Sequence, residues 1–191
     1  MTANKRHALN HDDALEALQA YKTGIFNAYK NAIERYNEEI LQTIPQARTR
    51  LNSVLLNAKI TESFIQEFPD EWIKGKYGRI LFRFNGIQLL IKKLDKYGCP
   101  SYIPTKLSRD ISLQYQTPLF DGDADSALEP ILFFGYTKGR GDILVNPRIV
   151  YYNENVKWMI TEDDFITIQG VYNEKKIIVR PKKKGEIKKV E

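Results

Sequence analysis

The chain has one cysteine, Cys99, and two histidines, His7 and His11. A single thiol excludes an intrachain disulfide and every cysteine-cluster metal site. Histidines confined to the segment ahead of the first helical pattern leave little material for a His-dependent catalytic triad or a multi-histidine metal centre. No apolar run reaches the length of a membrane span, and Met1 to Asn10 lacks the apolar centre of a secretory signal. The expectation is a cytoplasmic protein with no membrane partner, no metal and no cofactor. Internal repeats are absent, and low complexity is confined to the last ten residues.

What remains is an ordinary globular composition, 42% hydrophobic and 28% charged over 191 residues, enough for one sizeable core or for a helical module joined to a β domain. The net charge of +5 is unevenly placed. From Glu174 onward eight Lys or Arg stand against three Glu, so this end carries the whole excess. A basic terminal segment is a better electrostatic footprint for nucleic acid than mild basicity spread over a surface.

Periodicity divides the chain. Asn10 to Asp13 supplies capping side chains and first-turn carboxylates. Leu15, Leu18, Ile25, Tyr29, Ile33, Tyr36 and Ile40 then recur at helical spacing, predicting one long helix ending near Thr43. Pro45 suits the first turn of a second helix, with a stripe of Ala47, Leu51, Val54, Leu55, Ala58, Ile65 and Phe68 before Pro69. The two helices form an antiparallel hairpin over residues 1–70, which either packs on the sheet or offers a surface to another subunit.

Residues 71–181 read as a β module, and 182–191 as a basic tail. The clearest local signal is Asn85-Gly86 between two apolar runs, a type I′ hairpin turn. A two-residue loop pairs Phe84 with Ile87, Phe82 with Leu89 and Ile80 with Ile91 on one face. On the other face Arg83 meets Gln88, Leu81 meets Leu90, and Arg79 meets Lys92. Cations directly opposed across a strand pair repel unless an anion lies between them. Residues 95–130 form a long irregular insertion containing Pro100, Pro104 and Pro118, with one short strand at Ile111 to Tyr115. Further strands are expected at Ile131–Thr137, Ile143–Tyr152 with an interruption at Pro147, Val156–Ile160, Phe165–Tyr172 and Lys176–Arg180. The fold class is α+β: a helical hairpin followed by about seven strands in a mostly antiparallel meander.

Several segments carry chemistry only in part. Asp121, Asp123 and Asp125 are spaced like the start of a calcium loop, but Ser126 replaces the turn glycine and the bidentate glutamate is missing. Glu174-Lys175-Lys176 has the spacing of a metal-dependent nuclease motif, yet it puts lysine where an apolar residue belongs. Lys138-Gly139-Arg140-Gly141 offers two cations and free backbone N–H groups to a phosphate without the ending of a P-loop. Lys76 to Phe84 fails the RNA-recognition pattern position by position.

Arg79, Arg83 and Lys92 beside Tyr77 form the best-motivated constellation. Exposed, they offer charge and an aromatic platform to a nucleic-acid backbone; covered, they pair with carboxylates of the helices or of Asp121 to Glu129. Arg180, Lys182, Lys183 and Lys184 in the tail add a salt-sensitive, nonspecific site.

The run Lys92 to Thr105, Lys-Lys-Leu-Asp-Lys-Tyr-Gly-Cys-Pro-Ser-Tyr-Ile-Pro-Thr, followed by Phe134-Gly-Tyr136, resembles a signature of uncharacterised bacterial proteins of mobile-element, toxin–antitoxin or phage-defence loci. The resemblance covers roughly Gly78 to Ile160 and implies an accessory bacterial protein acting with a partner. It supplies no catalytic residue.

The reading is a non-catalytic binding protein that meets a protein partner, or a second copy, through its helices and nucleic acid through Arg79, Arg83, Lys92, Lys138, Arg140 and the tail. The alternatives are a metal-independent ribonuclease toxin using Arg79, Arg83, Lys92 and a tyrosine, and a purely structural subunit.

Overall fold

Asn10 opens the first helix, α1 (His11–Leu18), by accepting a hydrogen bond from the Asp13 amide at 2.8 Å. In the computed structural model, which describes residues 4–75, 78–101, 105–116, 127–138 and 144–165, the expected single long helix is two. The chain breaks at Gln19–Tyr21 before α2 (Lys22–Gln42). The reason is a competing partner: the Asn85 side-chain amide donates to the Ala17 carbonyl at 2.9 Å, satisfying a group that a continuous helix would have used itself. Tyr21 at the break stacks on Phe84, with ring centroids 4.6 Å apart. Released from the axis of α2, α1 reaches the β6 edge of the same sheet face, where Trp158 donates to the Leu9 carbonyl at 3.1 Å.

Pro45 does start the second long helix, α3 (Pro45–Glu67), and α2 and α3 pack as a hairpin. The buried stripe of α3 is rotated from the one expected. Leu56, Ile60, Ser63 and Phe64 point inward, while Leu51 and Val54 are 44% and 68% exposed. The aromatic interior sets this rotation: Phe64 lies 5.1 Å from Phe134 and 5.4 Å from Phe82 between ring centroids, so the large ring takes the inward position and displaces the smaller aliphatic set.

The sheet contains six strands among the described residues: β1 (Trp72–Lys74), β2 (Ile80–Phe84), β3 (Ile87–Lys93), β4 (Ile131–Lys138), β5 (Leu144–Asn153) and β6 (Asn155–Ile160). They lie in sequence order. The Asn85-Gly86 turn forms as expected, with both residues at positive φ, and fixes Phe84 against Ile87, Phe82 against Leu89 and Arg83 against Gln88. The strands expected at Phe165–Tyr172 and Lys176–Arg180 lie outside the described residues, apart from Phe165 itself, which is buried in the core.

The meander fails at one place. β3 and β4 are parallel, and parallel neighbours need a crossover rather than a turn. The long insertion is that crossover. Its expected strand at Ile111–Tyr115 is instead the end of a short helix, α4 (Lys106–Ser112), followed by a turn. A capping box between Thr105 and Ser108 starts α4, and Gln114 at φ 57° closes it.

The sheet is therefore covered on both faces. Phe82, Phe84, Leu89, Leu132, Phe134 and Ile149 meet α1, α2 and α3 in one core, whereas Leu81, Leu90, Ile131 and Phe133 meet Ile111 of α4 in a second. The buried side chain of Gln114 acts as a missing strand residue. Its amide donates to the carbonyls of Ile131 and Tyr152 and accepts from the Ile131 N–H, all at 2.9–3.0 Å.

Gly135 is where the crossover, just after leaving β3, lies against the sheet. A Cβ there would stand 2.6 and 2.7 Å from the two methyls of Leu94, which is itself buried. Gly135→Ala is expected to lower the unfolding free energy by about 1–3 kcal/mol through overpacking. Equilibrium urea unfolding checks it, and adding Leu94→Ala to the same chain should restore part of the stability.

Candidate functional site

Alternation along β2 and β3 puts Leu81 and Arg83 on the α4 face with Gln88 and Leu90, and Arg79, just ahead of β2, lines the cavity against α4 together with Lys92. The two ends of this face have opposite fates. At the turn end, Glu129 enters just ahead of β4 and accepts from Arg83 through Nε at 3.1 Å and Nη2 at 2.5 Å. The Gln88 side chain donates to the same carboxylate at 3.1 Å. Arg6, carried in by the N-terminal segment, donates to the Glu129 backbone carbonyl at 2.8 Å. Burial lowers the Arg6 guanidinium to about 10, against the opposing pull of Glu129. Arg83 is thus the covered case: it belongs to a structural ion pair and is set apart from Arg79 and Lys92.

At the open end the neighbours are different. Arg79 is half-buried, and its Nη1 has no hydrogen-bond partner among the described residues. Lys92, also half-buried, has its pKa lowered first by burial and second by the positive charge of Arg79. Among the described residues no carboxylate forms an ion pair with either side chain. Two cations share a partly desolvated place, and no anion among the described residues relieves them.

They line an open groove of about 1150 Å³. One wall is α3, with Ser53, Asn57 and Thr61 one helical turn apart; the other is the carboxyl end of β3 with Lys93 and Ser101. A second, much smaller cavity lies behind the same two cations, bounded by Ser108 and Ser112 of α4. The helical wall was not among the sequence-derived candidates. Its signal was legible: Ser53, Asn57 and Thr61 are spaced i, i+4, i+8, but the misplaced apolar stripe of α3 hid them.

The other candidates are not brought to this groove by any described contact. Lys138 ends β4, while Tyr77, Arg140, Arg180, Lys182, Lys183 and Lys184, with the Asp121 to Asp125 and Glu174 to Lys176 segments, lie outside the described residues. No cluster of three metal-ligating side chains occurs among the described residues, and no described helix is long and apolar enough to cross a membrane. Comparison with protein-family models, with curated proteins and with solved structures finds no match.

The two ends of this face should respond oppositely to removal of a cation. Arg83→Met leaves a mostly buried carboxylate without its cation and is expected to destabilise by about 2 kcal/mol. Lys92→Met removes a repulsion and should be neutral or stabilising by about 0.5 kcal/mol. Urea unfolding of both variants checks the pair.

The pH dependence follows from the sign of the Lys92 shift. The folded state holds this proton less tightly than the unfolded chain, so the penalty is full below the depressed value and fades as pH approaches about 10.4, the ordinary lysine value. The stability difference between wild type and Lys92→Met should therefore shrink between neutral pH and about 10.4. A difference that stays constant over that range would contradict the assignment.

Proposed function

We propose that this chain is a non-catalytic cytoplasmic binding protein of a bacterial accessory or defence locus, and that its groove takes nucleic acid. The observation that carries the ligand is the Arg79–Lys92 pair: two half-buried cations facing an open groove, one with an unmade buried donor, and neither paired with an anion among the described residues. A phosphate placed against the accessible parts of the two side chains would pair with both and offset their repulsion. The setting rests on the resemblance of the Lys92–Thr105 segment.

A protein partner, or a second copy, is proposed at the tip of the helical hairpin. Leu41, Ile44 and Leu51 are 44–69% exposed there, more apolar surface than a free hairpin tip needs.

Purification at low and at high salt, with absorbance spectra and nuclease digestion of any copurifying material, tests the ligand. Nucleic acid should stay bound at low salt and leave at high salt. In titrations, the Arg79→Ala/Lys92→Ala variant should lower the log–log salt slope by about 0.7, the single-strand value for the one phosphate that the variant no longer neutralises. Clean protein at every salt would remove the nucleic-acid half, and cleavage of the bound RNA would replace it with the ribonuclease reading. For the hairpin tip, Leu41→Ser/Ile44→Ser should abolish association seen by light scattering while leaving the unfolding midpoint unchanged.

A further inference from the structure

The groove carries two chemistries, positive charge and apolar surface. The strand side carries the cations Arg79, Lys92 and Lys93 together with the apolar Ile80 and Ile91, and the α3 side carries Val54 and Ile65 beside its polar residues and the carboxylate of Glu62. Val54, Ile65, Ile80 and Ile91 are exposed or only half-buried, so a ligand can reach them. The groove also sits at the carboxyl end of β3, half of the parallel pair, where the crossover leaves the sheet.

A double helix makes poor use of such a groove. Its bases are stacked inside and its outer surface offers phosphate and sugar, so it would engage the cations and leave the apolar side chains in water. A single strand presents both chemistries at once, phosphates along one edge and unstacked base faces along the other. An acidic peptide matches the cations as well, but carboxylate side chains on a polar backbone leave the apolar side chains unused.

We infer that the groove binds single-stranded nucleic acid in preference to duplex, one phosphate lying against the accessible parts of Arg79 and Lys92 and the neighbouring bases lying against Val54, Ile65, Ile80 and Ile91. This rests on the nucleic-acid reading and narrows it. These apolar residues are aliphatic, so base contact is sequence-tolerant, and the carboxamide of Asn57 is placed to meet a base edge.

The test is fluorescence anisotropy on the full chain with labelled single-stranded DNA and RNA octamers and a blunt duplex of the same sequence, at about 50 mM salt. The single strands should bind at least tenfold more tightly than the duplex. Arg79→Ala should weaken both forms. Val54→Ser, at a position 68% exposed and outside the core, should weaken only the single strands, by several-fold, with the unfolding midpoint unchanged.

Equal binding of duplex, still dependent on Arg79, would overturn the single-strand inference and leave the nucleic-acid reading standing. Binding indifferent to both Arg79→Ala and Val54→Ser would overturn the groove as the site. No binding of any nucleic acid, or Arg79-dependent binding of polyglutamate alone, would overturn both readings.

Discussion

The parallel pairing of β3 with β4 is the constraint on which the rest of this molecule depends. Antiparallel neighbours can be joined by two residues, as Asn85 and Gly86 show, but parallel neighbours cannot. The chain must leave the carboxyl end of β3, cross the sheet and re-enter beside Gln88 at Ile131. Each later feature follows from that excursion. It carries α4 onto the second face, giving Leu81, Leu90 and Phe133 something to bury against. It delivers Glu129 to Arg83 on its return. It also leaves the departure end, around Lys92 and Lys93, open beside α3.

The same crossover explains why one face of one hairpin contains both an ion-paired cation and one with no ion-pair partner among the described residues. Arg83 stands where the returning chain arrives, so a carboxylate and a carboxamide are available to close around it. Arg79 stands where the chain departs, and the closest functional groups of α4 are the hydroxyl-bearing Ser108 and Ser112 rather than acids. Strand alternation put the two arginines on the same face; topology decided their electrostatics. Proximity of like charges raises the free energy of the folded state, and burial of the Lys92 ammonium adds to it. A position held at a local cost to stability is the kind of feature that a binding role explains and a packing role does not.

Local patterns were legible in the sequence, and features created by tertiary contact were not. The turn at Asn85-Gly86 and its register could be read because positive φ at two successive residues nearly dictates the pairing. Pro45 marked the start of α3 for a similarly local reason. The break between α1 and α2 was invisible because its cause, Asn85, lies 68 residues away. The rotation of α3 was missed because its apolar residues exceed one stripe, and only the ring of Phe64 against Phe82 and Phe134 selects among them. α4 was readable in principle: Thr105 and Ser108 have the spacing of a helix cap, and Leu107 and Ile111 are one turn apart, but β-branched Ile111 and the nearby Tyr115 resemble a short strand.

The candidate site shows the same division one level up. That Arg79 and Lys92 come close on one face was deducible from strand alternation beyond the tight turn, and the two side chains do line one cavity. Whether an anion stood between them depended on a crossover that register does not reveal. The groove needs a third ingredient, the polar stripe of Ser53, Asn57 and Thr61 on α3, which becomes visible only once Leu56, Ile60 and Phe64 are known to face inward. The direction of α3 is therefore the hinge between fold and ligand. The packing of Phe64 in the core turns a hydroxyl- and amide-bearing face toward two cations, and the hydrophobic interior thereby sets the chemistry of the groove's outer wall.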